Sequence, residues 1–385
     1  KSNFIIKLYF FYKKMNYDIK VFSDLNNELK NYWNNLEKES DNFCFQSYEW
    51  FENWVRNFRK NSEIFSLCVV AIKANNEIIC ILPFEIEKKF NNKILKWSGG
   101  LKSDYFSPII KKNIDFDKES FINMWKKVII TIPKVDLIYL DKQPENLNNK
   151  KNPFVLFLKN HKDSDVYSIL LPDKWKKYTK EVLKKNFHIQ NIRKKKLLKK
   201  EGNLKFKVET VKTKKIELLK QFIIQKNERL TSQGIKENFN ENDFDFYKEF
   251  ENISSNNIKT HFSSLTLNNK LIAFHWGVIY KKRFYYLLLS MKEGNLGRFS
   301  PGRLLISLLI RWSISKKVKH FDFGLGDEDY KKSWSNQKDT LYNFIQLKSL
   351  KGFFIYLFVK TKIIIKSLNK KNYFRRFIFI FKSKI

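Results

Sequence analysis

Carboxylates and a tyrosine follow one short apolar segment near the C-terminal end of the chain. Asp322 lies between two phenylalanines, and Asp327, Glu328 and Tyr330 follow within a few residues. Strand alternation puts Asp322 on the face opposite to these phenylalanines, where a buried carboxylate is unfavourable unless it is paired or functional. Carboxylates and phenols can also exchange protons with a reacting molecule. We predict acid–base chemistry here, and an Asp322 that only holds the following turn is the alternative.

A second group of residues could bind a phosphate. The run Gly297-Arg-Phe-Ser-Pro-Gly302 opens an apolar segment with helical periodicity. Proline is pre-organised for the first turn of a helix, glycine permits close approach, and the backbone N–H groups of a helix start attract anions. The predicted phosphate cradle consists of Gly297, Arg298, Ser300, Gly302 and Arg303. An ordinary capped helix start is the alternative.

His275 is a further candidate for proton transfer. It lies in an apolar strand pattern between Phe274 and Trp276. Histidine titrates near neutral pH and could act as a base. A single histidine within a strand is more often a residue of the core or its rim, and that is the alternative to catalysis.

The segment from Asp322 to Lys331 resembles a motif of GNAT-superfamily acyltransferases of the type linked to cellulose and exopolysaccharide biosynthesis. These proteins are relatives of the Fem-type aminoacyltransferases, and the motif has the form Phe-Asp-Phe-x-x-Gly-Asp-x-x-Tyr-Lys. The resemblance implies that Tyr330 protonates a departing thiolate and that Glu328 and Lys331 contact substrate. It also implies acetyl-CoA or another acyl-CoA as co-substrate, with the predicted phosphate cradle as its site.

Two other parts of the chain bear on this resemblance. Ser98-Gly-Gly100 and Ser103-Asp104-Tyr105 are similar to the acceptor-side loop of the family, while Gln46, Trp50 and Trp54 are similar to its opening helix. The family's phosphate loop has the form Gln/Arg-x-x-Gly-x-Gly/Ala, and here Pro301 stands at the first of these two glycine positions. An aminoacyl-tRNA donor therefore stays open beside acyl-CoA.

The order of elements predicts an α/β (α+β) fold with two tandem GNAT-like domains, each a mixed central sheet flanked by helices. In the first half we predict these elements: helices over Ser23–Lys38, Phe45–Trp54 and Lys118–Thr131, a hairpin turning at Ala74-Asn-Asn, and a strand over Val135–Leu140. In the second half we predict these: a strand over Val166–Leu171, helices from Lys174 and over Lys214–Gln233, a hairpin turning at Asn268-Asn-Lys, and a strand over Arg283–Met291.

These elements suggest four segments. Residues 1–14 are predicted to be a non-native or upstream extension, because Met15 precedes the first strand pattern. Residues 15–160 and 161–348 are the two predicted domains. Residues 349–385 alternate apolar runs with Lys and Arg, which predicts a basic amphipathic tail. The tail could contact an anionic membrane surface or pack as a helix on the second domain.

The composition of the chain argues against several classes of binding partner and site. The chain has 385 residues and a formal net charge of +36, but its lysine and asparagine usage is typical of an AT-rich genome, so no specific nucleic acid is expected. Cys44, Cys68 and Cys80 show no metal-ligand spacing, which argues for a reducing compartment and against a metal site. No apolar run approaches the roughly 18 residues of a spanning helix. We expect a cytoplasmic bacterial protein with the inner face of the membrane as a candidate peripheral contact.

The function predicted from the sequence is acyl transfer from acyl-CoA to an amino or hydroxyl group. The acceptor would be a sugar nucleotide, a glycan or another precursor of the cell envelope. Three alternatives stay open: a Fem-type transferase that uses aminoacyl-tRNA, a non-catalytic accessory protein of polysaccharide synthesis with the same fold, and an RNA binder.

Overall fold

The structure is a computed structural model that describes residues 16–59, 62–232, 234, 239–253, 257–291 and 294–368. The predicted extension over residues 1–14 lies outside these ranges, as does the part of the predicted tail beyond Leu368.

The strands of the described residues, in chain order, are β1 (Tyr17–Phe22), β2 (Phe65–Ala74), β3 (Glu77–Lys89), β4 (Asn92–Trp97), β5 (Ile109–Ile110), β6 (Leu137–Pro144), β7 (Asn146–Leu147), β8 (Lys150–Lys151), β9 (Asn160–Leu170), β10 (Leu204–Glu209), β11 (Ile258–Leu267), β12 (Lys270–Tyr280), β13 (Arg283–Met291), β14 (His320–Asp322) and β15 (Gln337–Leu347). The helices are α1 (Asn27–Lys38), α2 (Tyr48–Phe58), α3 (Lys118–Thr131), α4 (Pro153–Phe157), α5 (Trp175–Glu181), α6 (Lys185–Lys200), α7 (Lys212–Ser232), α8 (Glu241–Glu249), α9 (Pro301–Ser315), α10 (Asp329–Lys332) and α11 (Phe353–Leu368).

The chain divides into two compact units. The first contains the described residues up to Ser164 together with those from Asp339 onward, and the second contains Asp165–Lys338. The domain boundaries drawn from the sequence stay predictions, since they rest on composition and pattern rather than on contacts.

The sheet of the first unit has the strand order β1-β2-β3-β4-β6-β15, with β5 paired to β3. The strands β1 to β4 pair as antiparallel neighbours, and β4 then pairs in parallel with β6 through Ile94↔Leu137 and Leu95↔Ile138. Parallel neighbours need a crossover connection, and α3 lies in that connection.

The sheet of the second unit has the order β9-β14-β13-β12-β11-β10. Strands β10 to β13 pair as antiparallel neighbours, and β13 pairs in parallel with β14, with α9 in the crossover. Both units therefore contain the same series of antiparallel strands, crossover helix and parallel strand. The predicted fold class, mixed α/β with helices flanking mixed sheets, is confirmed.

Two hairpins were predicted from paired asparagines, and both form. Asn75 and Asn76 have φ of 52° and 64°, and Asn268 and Asn269 have φ of 49° and 63°. A two-residue turn with positive φ at both positions matches the twist of the strands that it joins, and asparagine tolerates that conformation. These turns place β2 beside β3 and β11 beside β12 as antiparallel neighbours.

Some predicted element bounds were wrong. The first helix begins at Asn27 rather than Ser23, because the side chain of Asn26 caps it by accepting from the Leu29 N–H at 2.9 Å. The predicted helix over Phe45–Trp54 is a 3₁₀ turn over Cys44–Gln46 followed by α2. The helix predicted from Lys174 is interrupted between α5 and α6. The interruption packs Val182 and Leu183 against the core of the second unit.

The position of the predicted tail differs from one of the two alternatives, a helix packed on the second domain. Its helical part, α11, packs on the first unit. Ile363 joins a buried apolar cluster of the first unit with Ile94, Leu137 and Ile345. The structural reason is that β15 returns the chain to the first unit before α11 begins, a strand that the sequence analysis did not identify.

Candidate active site

The start of α9, in the second unit, lacks a capping side chain. Pro301 occupies the first turn, and no side chain caps the helix. Ser300, the residue before it, adopts a left-handed conformation with φ of 53°. Helix starts carry partial positive charge and point N–H groups outward, so an uncapped start is suited to an anionic ligand.

Gly302 permits this helix start to lie close to the end of β13. A Cβ atom at Gly302 would lie 3.0 Å from Sδ of Met291 and 3.5 Å from Cδ2 of Leu289. The absence of a side chain therefore leaves room for tight packing of α9 against β13. The predicted importance of Gly302 has a geometric reason, although its proposed contact with phosphate stays a prediction.

Cationic and polar side chains surround the same helix start. Nζ of Lys194, on α6, donates to Oγ of Ser300 at 2.6 Å. The guanidinium of Arg303 stacks over the ring of Phe187, with its Cζ atom 3.8 Å from the ring centroid. Burial lowers the pKa of Arg303 from its ordinary value, and the group remains a cation at neutral pH. These cations favour an anion beside the helix start.

Several polar side-chain atoms on α6 and α9 are shielded from solvent. Within the described part of the chain, neither the side-chain amide of Asn191 nor Nε of Arg303 has a hydrogen-bond partner. Buried polar groups are normally paired, so these atoms are candidates for contact with a ligand or water. By contrast, the side chain of Arg298 is exposed and forms an ion pair with Glu201 at 3.3 Å.

The parallel strands beside this helix separate after a short paired stretch. Among the described residues, β14 pairs with β13 at Arg283↔His320, Phe284↔Phe321 and Tyr285↔Asp322, while β13 continues to Met291. The register between β12 and β13 also shifts, so that Trp276 pairs with Leu288 and Gly277 with Tyr286. Bulges of this kind redirect backbone groups and are frequent beside active sites. An extended, amide-containing ligand arm could bond to β13 where β14 no longer does.

Asp322 ends β14 and is almost completely buried. Its Oδ2 atom accepts from Nη1 of Arg283 at 2.9 Å, and its Oδ1 atom accepts from the backbone N–H of Gly324 at 2.9 Å. The carboxylate is therefore paired and also holds the turn that follows the strand. This geometry fits a positioning role, which was the alternative in the sequence analysis.

The loop after β14 is held together by Lys331. Its Nζ atom donates to the carbonyl of Leu325 at 2.6 Å and to that of Gly326 at 3.3 Å, and it pairs with Glu328 at 2.9 Å. Lys331 is buried, whereas Asp327 and Glu328 are exposed. The lysine is thus engaged inside the loop, and its predicted contact with substrate stays a prediction.

Tyr330 lies at the edge of this loop with 42% of its surface exposed. Its ring meets that of Phe323 edge-on, with the centroids 6.5 Å apart. Burial, with a smaller contribution from the charge of Glu328, raises its pKa to about 12. The phenol therefore carries its proton at neutral pH and is available as an acid.

His275 lies in the interior, away from solvent. Its ring stacks on Tyr286 at a centroid distance of 4.7 Å and an interplanar angle of 9°, and it also stacks on Phe284 at 5.4 Å. Burial, with a smaller contribution from His261, holds the pKa of His275 well below its ordinary value. The structure therefore places a neutral His275 in an aromatic core, and its catalytic role stays a prediction.

The predicted acceptor-side residues belong to the first unit. Ser103 is fully buried, and Tyr105 is buried against Phe43 and Phe45, with centroid distances of 5.2 and 5.6 Å. The carbonyl of Tyr105 accepts from Nε2 of Gln46 at 2.8 Å. Asp104 follows Ser103 in the same loop. The structure thus brings the predicted acid–base and cradle residues into the second unit and places Ser103, Asp104 and Tyr105 in the first.

Three residues of this site were not singled out from the sequence. Lys194 and Asn191 lie one helical turn apart on α6, within a helix whose many lysines conceal any individual one. Arg283, the partner of Asp322, is distant from it in sequence. An arginine at the start of a strand gave no signal by itself, because only strand pairing brings it to the carboxylate.

Comparison with known proteins supports part of this interpretation. Residues 186–332 match a family described as an acetyltransferase (GNAT) domain. This range includes α6, the start of α9 and the loop after β14. The matched range lies within the second unit, Asp165–Lys338. No curated protein matches the chain.

Several solved structures share the fold. A structure of FemX has a TM-score of 0.58 at 12% identity, covering 86% of this chain and 97% of that one. A structure of L-PGS from Bacillus licheniformis has a TM-score of 0.51 at 9% identity, covering 91% and 100% respectively. The C-terminal domain of a putative lysylphosphatidylglycerol synthetase from Agrobacterium fabrum has a TM-score of 0.50 at 11% identity, covering 88% and 96%. At these identities the likeness concerns the fold.

Two further findings concern metals and membranes. Among the described side chains, no group of three or more His, Cys, Asp or Glu residues could hold a metal ion. None of the helices in the described ranges combines the length and the apolar character that crossing a bilayer requires.

Proposed function

We propose that this protein is an acyltransferase that moves an acyl group from acetyl-CoA or another acyl-CoA to an amino or hydroxyl group. The proposed acceptor is a sugar nucleotide, a glycan or another cell-envelope precursor, and the proposed location is the cytoplasm. The observation that carries the proposal is the uncapped start of α9, with Lys194 and Arg303 beside it. The GNAT match over residues 186–332 includes all of these residues.

The donor would bind through its phosphates at this helix start. The N–H groups of the first turn and the two cations would neutralise the phosphate charge, and the amide of Asn191 would supply further hydrogen bonds. The pantetheine arm would extend along β13 beyond Tyr285, where the backbone is no longer paired with β14. This path leads the thioester towards the loop after Asp322.

The chemistry consists of attack on the thioester carbonyl and departure of the thiolate. The amine or hydroxyl of the acceptor forms a bond with the carbonyl carbon, and the carbon–sulfur bond breaks. Tyr330, protonated at neutral pH, would donate its proton to the sulfur. Asp327 or Glu328, both exposed beside Tyr330, would receive the proton of the acceptor. Asp322 would position this loop through its bonds to Arg283 and Gly324.

A Fem-type transfer from aminoacyl-tRNA is the second candidate. One observation favours it, namely the dense positive charge of α6 beside the proposed donor site. Desolvation, together with the charges of Lys199 and Arg311, lowers the pKa of Lys195, and Lys194 reaches Ser300. Such a surface suits a polynucleotide backbone. The fold shared with FemX and with lysylphosphatidylglycerol synthetase is compatible with either donor.

The first experiment measures binding of coenzyme A to the full chain by calorimetry. Gly302→Asp places a side chain and a negative charge at the helix start, and we expect it to weaken binding by at least about 100-fold. Lys194→Ala removes one cation and should weaken binding by about tenfold. Lys126→Ala is the matched control, because Lys126 is an exposed lysine of the first unit.

The outcomes separate the candidates. Equal binding of coenzyme A by the wild type and Gly302→Asp would reject the site at α9. If the wild type does not bind coenzyme A but transfers an amino acid from aminoacyl-tRNA, the Fem-type transferase replaces the acyl-CoA-dependent enzyme as the proposed function. If the wild type binds neither donor, a non-catalytic accessory role remains. RNA binding that is tight and sequence-selective at physiological salt, without any transfer, would favour an RNA binder.

A further inference from the structure

The exposed face of α11 carries an unusual amount of apolar surface. Phe354 is 81% exposed, Phe358 is 58% exposed, and Phe353, Leu357, Ile364 and Ile365 are between 41% and 46% exposed. Soluble proteins rarely expose contiguous apolar patches of this kind unless the patch contacts a membrane or a partner. We call these six residues the α11 apolar face.

The α11 apolar face is continuous. At 100° per residue, its six members occupy one arc of about 140° around the helix. The residues that pack on the first unit, namely Ile355, Tyr356, Val359 and Ile363, occupy the opposite side. The helix therefore uses one apolar side for folding, and the second apolar side is not needed to hold it in place.

Lysines border the α11 apolar face on both edges. On the helical projection, Lys360 lies beside Phe353 and Ile364, and Lys362 lies beside Phe358. Lys348 and Lys351 precede the helix. No Asp or Glu follows Asp339 in the sequence, whereas eleven Lys and Arg residues do. Within the described part of the helix, lysines therefore flank the apolar face on both edges.

We infer that α11 docks this face into an anionic membrane surface. Large apolar side chains flanked by lysines are typical of helices that lie in the plane of the interface, with the apolar side among the acyl chains and the lysines at the headgroups. A helix of 16 residues is about 24 Å long, which is too short to span a bilayer and sufficient to lie in it. Lys360 and Lys362, at the two edges of the face, favour anionic lipid over a neutral or cationic partner.

This inference goes beyond the proposed acyl transfer. It would place the first unit against the membrane, where lipid-linked acceptors reside. It does not depend on donor binding, because α11 lies outside the GNAT match. A failure of membrane binding would therefore leave the proposed acyl transfer intact. A failure of acyl transfer would likewise leave the proposed membrane binding intact.

The test is co-sedimentation of the full chain with vesicles. The probes are phosphatidylcholine vesicles with and without 30% phosphatidylglycerol, a proportion of about one anionic lipid in three, chosen to mimic an anionic leaflet. We expect the wild type to bind the mixed vesicles and to bind pure phosphatidylcholine at least about tenfold more weakly. Phe354→Gln/Phe358→Gln should reduce binding to the mixed vesicles by at least about tenfold, because both side chains leave the apolar phase.

Two further variants keep the test decisive. Leu357→Gln/Ile365→Gln alters the same face at other positions and should give a comparable loss. Ile130→Gln/Ile224→Gln removes two exposed isoleucines elsewhere and should bind as the wild type does. Melting temperatures of all variants report whether folding is intact.

Several results would overturn the inference. One is a wild type that stays in the supernatant with mixed vesicles. Another is equal binding by the wild type and both α11 variants, because charge alone would then suffice. A third is a wild type that sediments as a dimer while Phe354→Gln/Phe358→Gln is a monomer, with no difference in vesicle binding. That result would assign the face to a second copy of the chain.

Discussion

The two units contain the same arrangement of strands, but their crossover helices begin in opposite ways. In the first unit, Oδ1 of Asp117 accepts from the backbone N–H of Ser120 at 2.7 Å, and Glu119 lies in the first turn of α3. In the second unit, no side chain caps α9, and Lys194 and Arg303 lie beside its start. The start of α3 is thus neutralised by its own carboxylates, whereas the start of α9 has its charge available.

The two units also differ at the point where the pairing of their parallel strands, β4 with β6 and β13 with β14, ends. In the first unit, Lys142 follows the last residue pair of β4 and β6. Its Nζ atom donates to the carbonyls of Gly100 and Ser103 at 3.3 and 3.0 Å, and it lies 5.1 Å from the ring centroid of Phe106. A lysine of the protein therefore bridges this gap. In the second unit, β13 extends beyond its partner towards the loop of Tyr330.

The fold alone does not make a donor site. Both units supply a crossover helix beside a pair of parallel strands, yet of these two helices α3 has a side-chain cap and α9 has none. Function lies in the residues placed on the fold. We therefore expect changes at the second unit to affect transfer and changes at the first to affect stability.

Tyr330 is the proposed acid of the second unit, and a matched tyrosine is available in the first. Removing the hydroxyl in Tyr330→Phe should lower kcat by about 100-fold with little change in KM, because the proton is needed only as the thiolate leaves. Steady-state kinetics at several concentrations of acyl-CoA measure both constants.

A control variant makes the effect of Tyr330→Phe interpretable. Tyr356→Phe, on α11 of the first unit, should leave kcat unchanged. An unchanged kcat in Tyr330→Phe itself would remove this residue from the mechanism and weaken the contrast between the two units.

The next effect concerns acid stability and contrasts the hairpins of the two units. Burial lowers the pKa of His261 to about 3 and holds the pKa of His275 well below its ordinary value, so both are neutral when folded. As the pH falls from about 6.5 towards 3, the unfolded chain binds protons that the folded unit does not, and stability decreases. Each histidine contributes up to about 1.4 kcal/mol per pH unit within this window.

The first unit has no such pair in its corresponding strands. Cys68 and Cys80 are buried in β2 and β3, and burial raises the pKa of both thiols, which therefore stay neutral throughout this range. When thermal unfolding is measured at pH values from 7 down to 5, the melting temperature of the second unit should fall before that of the first. His261→Phe should reduce the pH dependence of that melting temperature. Equal pH dependence of the wild type and His261→Phe would contradict the assignment.

The smallest effect concerns the cap of α3. Asp117→Ala should destabilise the first unit by about 1 kcal/mol, because the N–H of Ser120 loses its acceptor. Asp117→Ser should recover most of this loss, since serine also caps helices. Binding of coenzyme A should be the same in both variants, as measured by calorimetry. A large loss of binding in Asp117→Ala would show that the first unit contributes to donor binding after all.

Much of the fold could be predicted from local patterns. Helix α3 matches its predicted span of Lys118–Thr131, and β13 matches Arg283–Met291. These elements have clear periodicity and clear boundary residues. Strand β10 alternates Leu, Phe and Val with charged residues and was nevertheless missed, although its pattern is readable. Strand β15 was missed as well, and its return to the first unit depends on pairing with distant residues.

In the candidate site, too, some features could be predicted from local patterns and others could not. Local patterns were enough to identify the acidic loop with Tyr330, the glycine and proline at the start of α9, and the paired asparagines of the hairpins, because each is a property of neighbouring residues. The folded structure was needed to see that Asp322 binds Arg283 and that Lys194 reaches Ser300. It also decided which side of α11 is covered. These outcomes depend on contacts between residues far apart in the chain, and local patterns carry no information about which distant partner arrives.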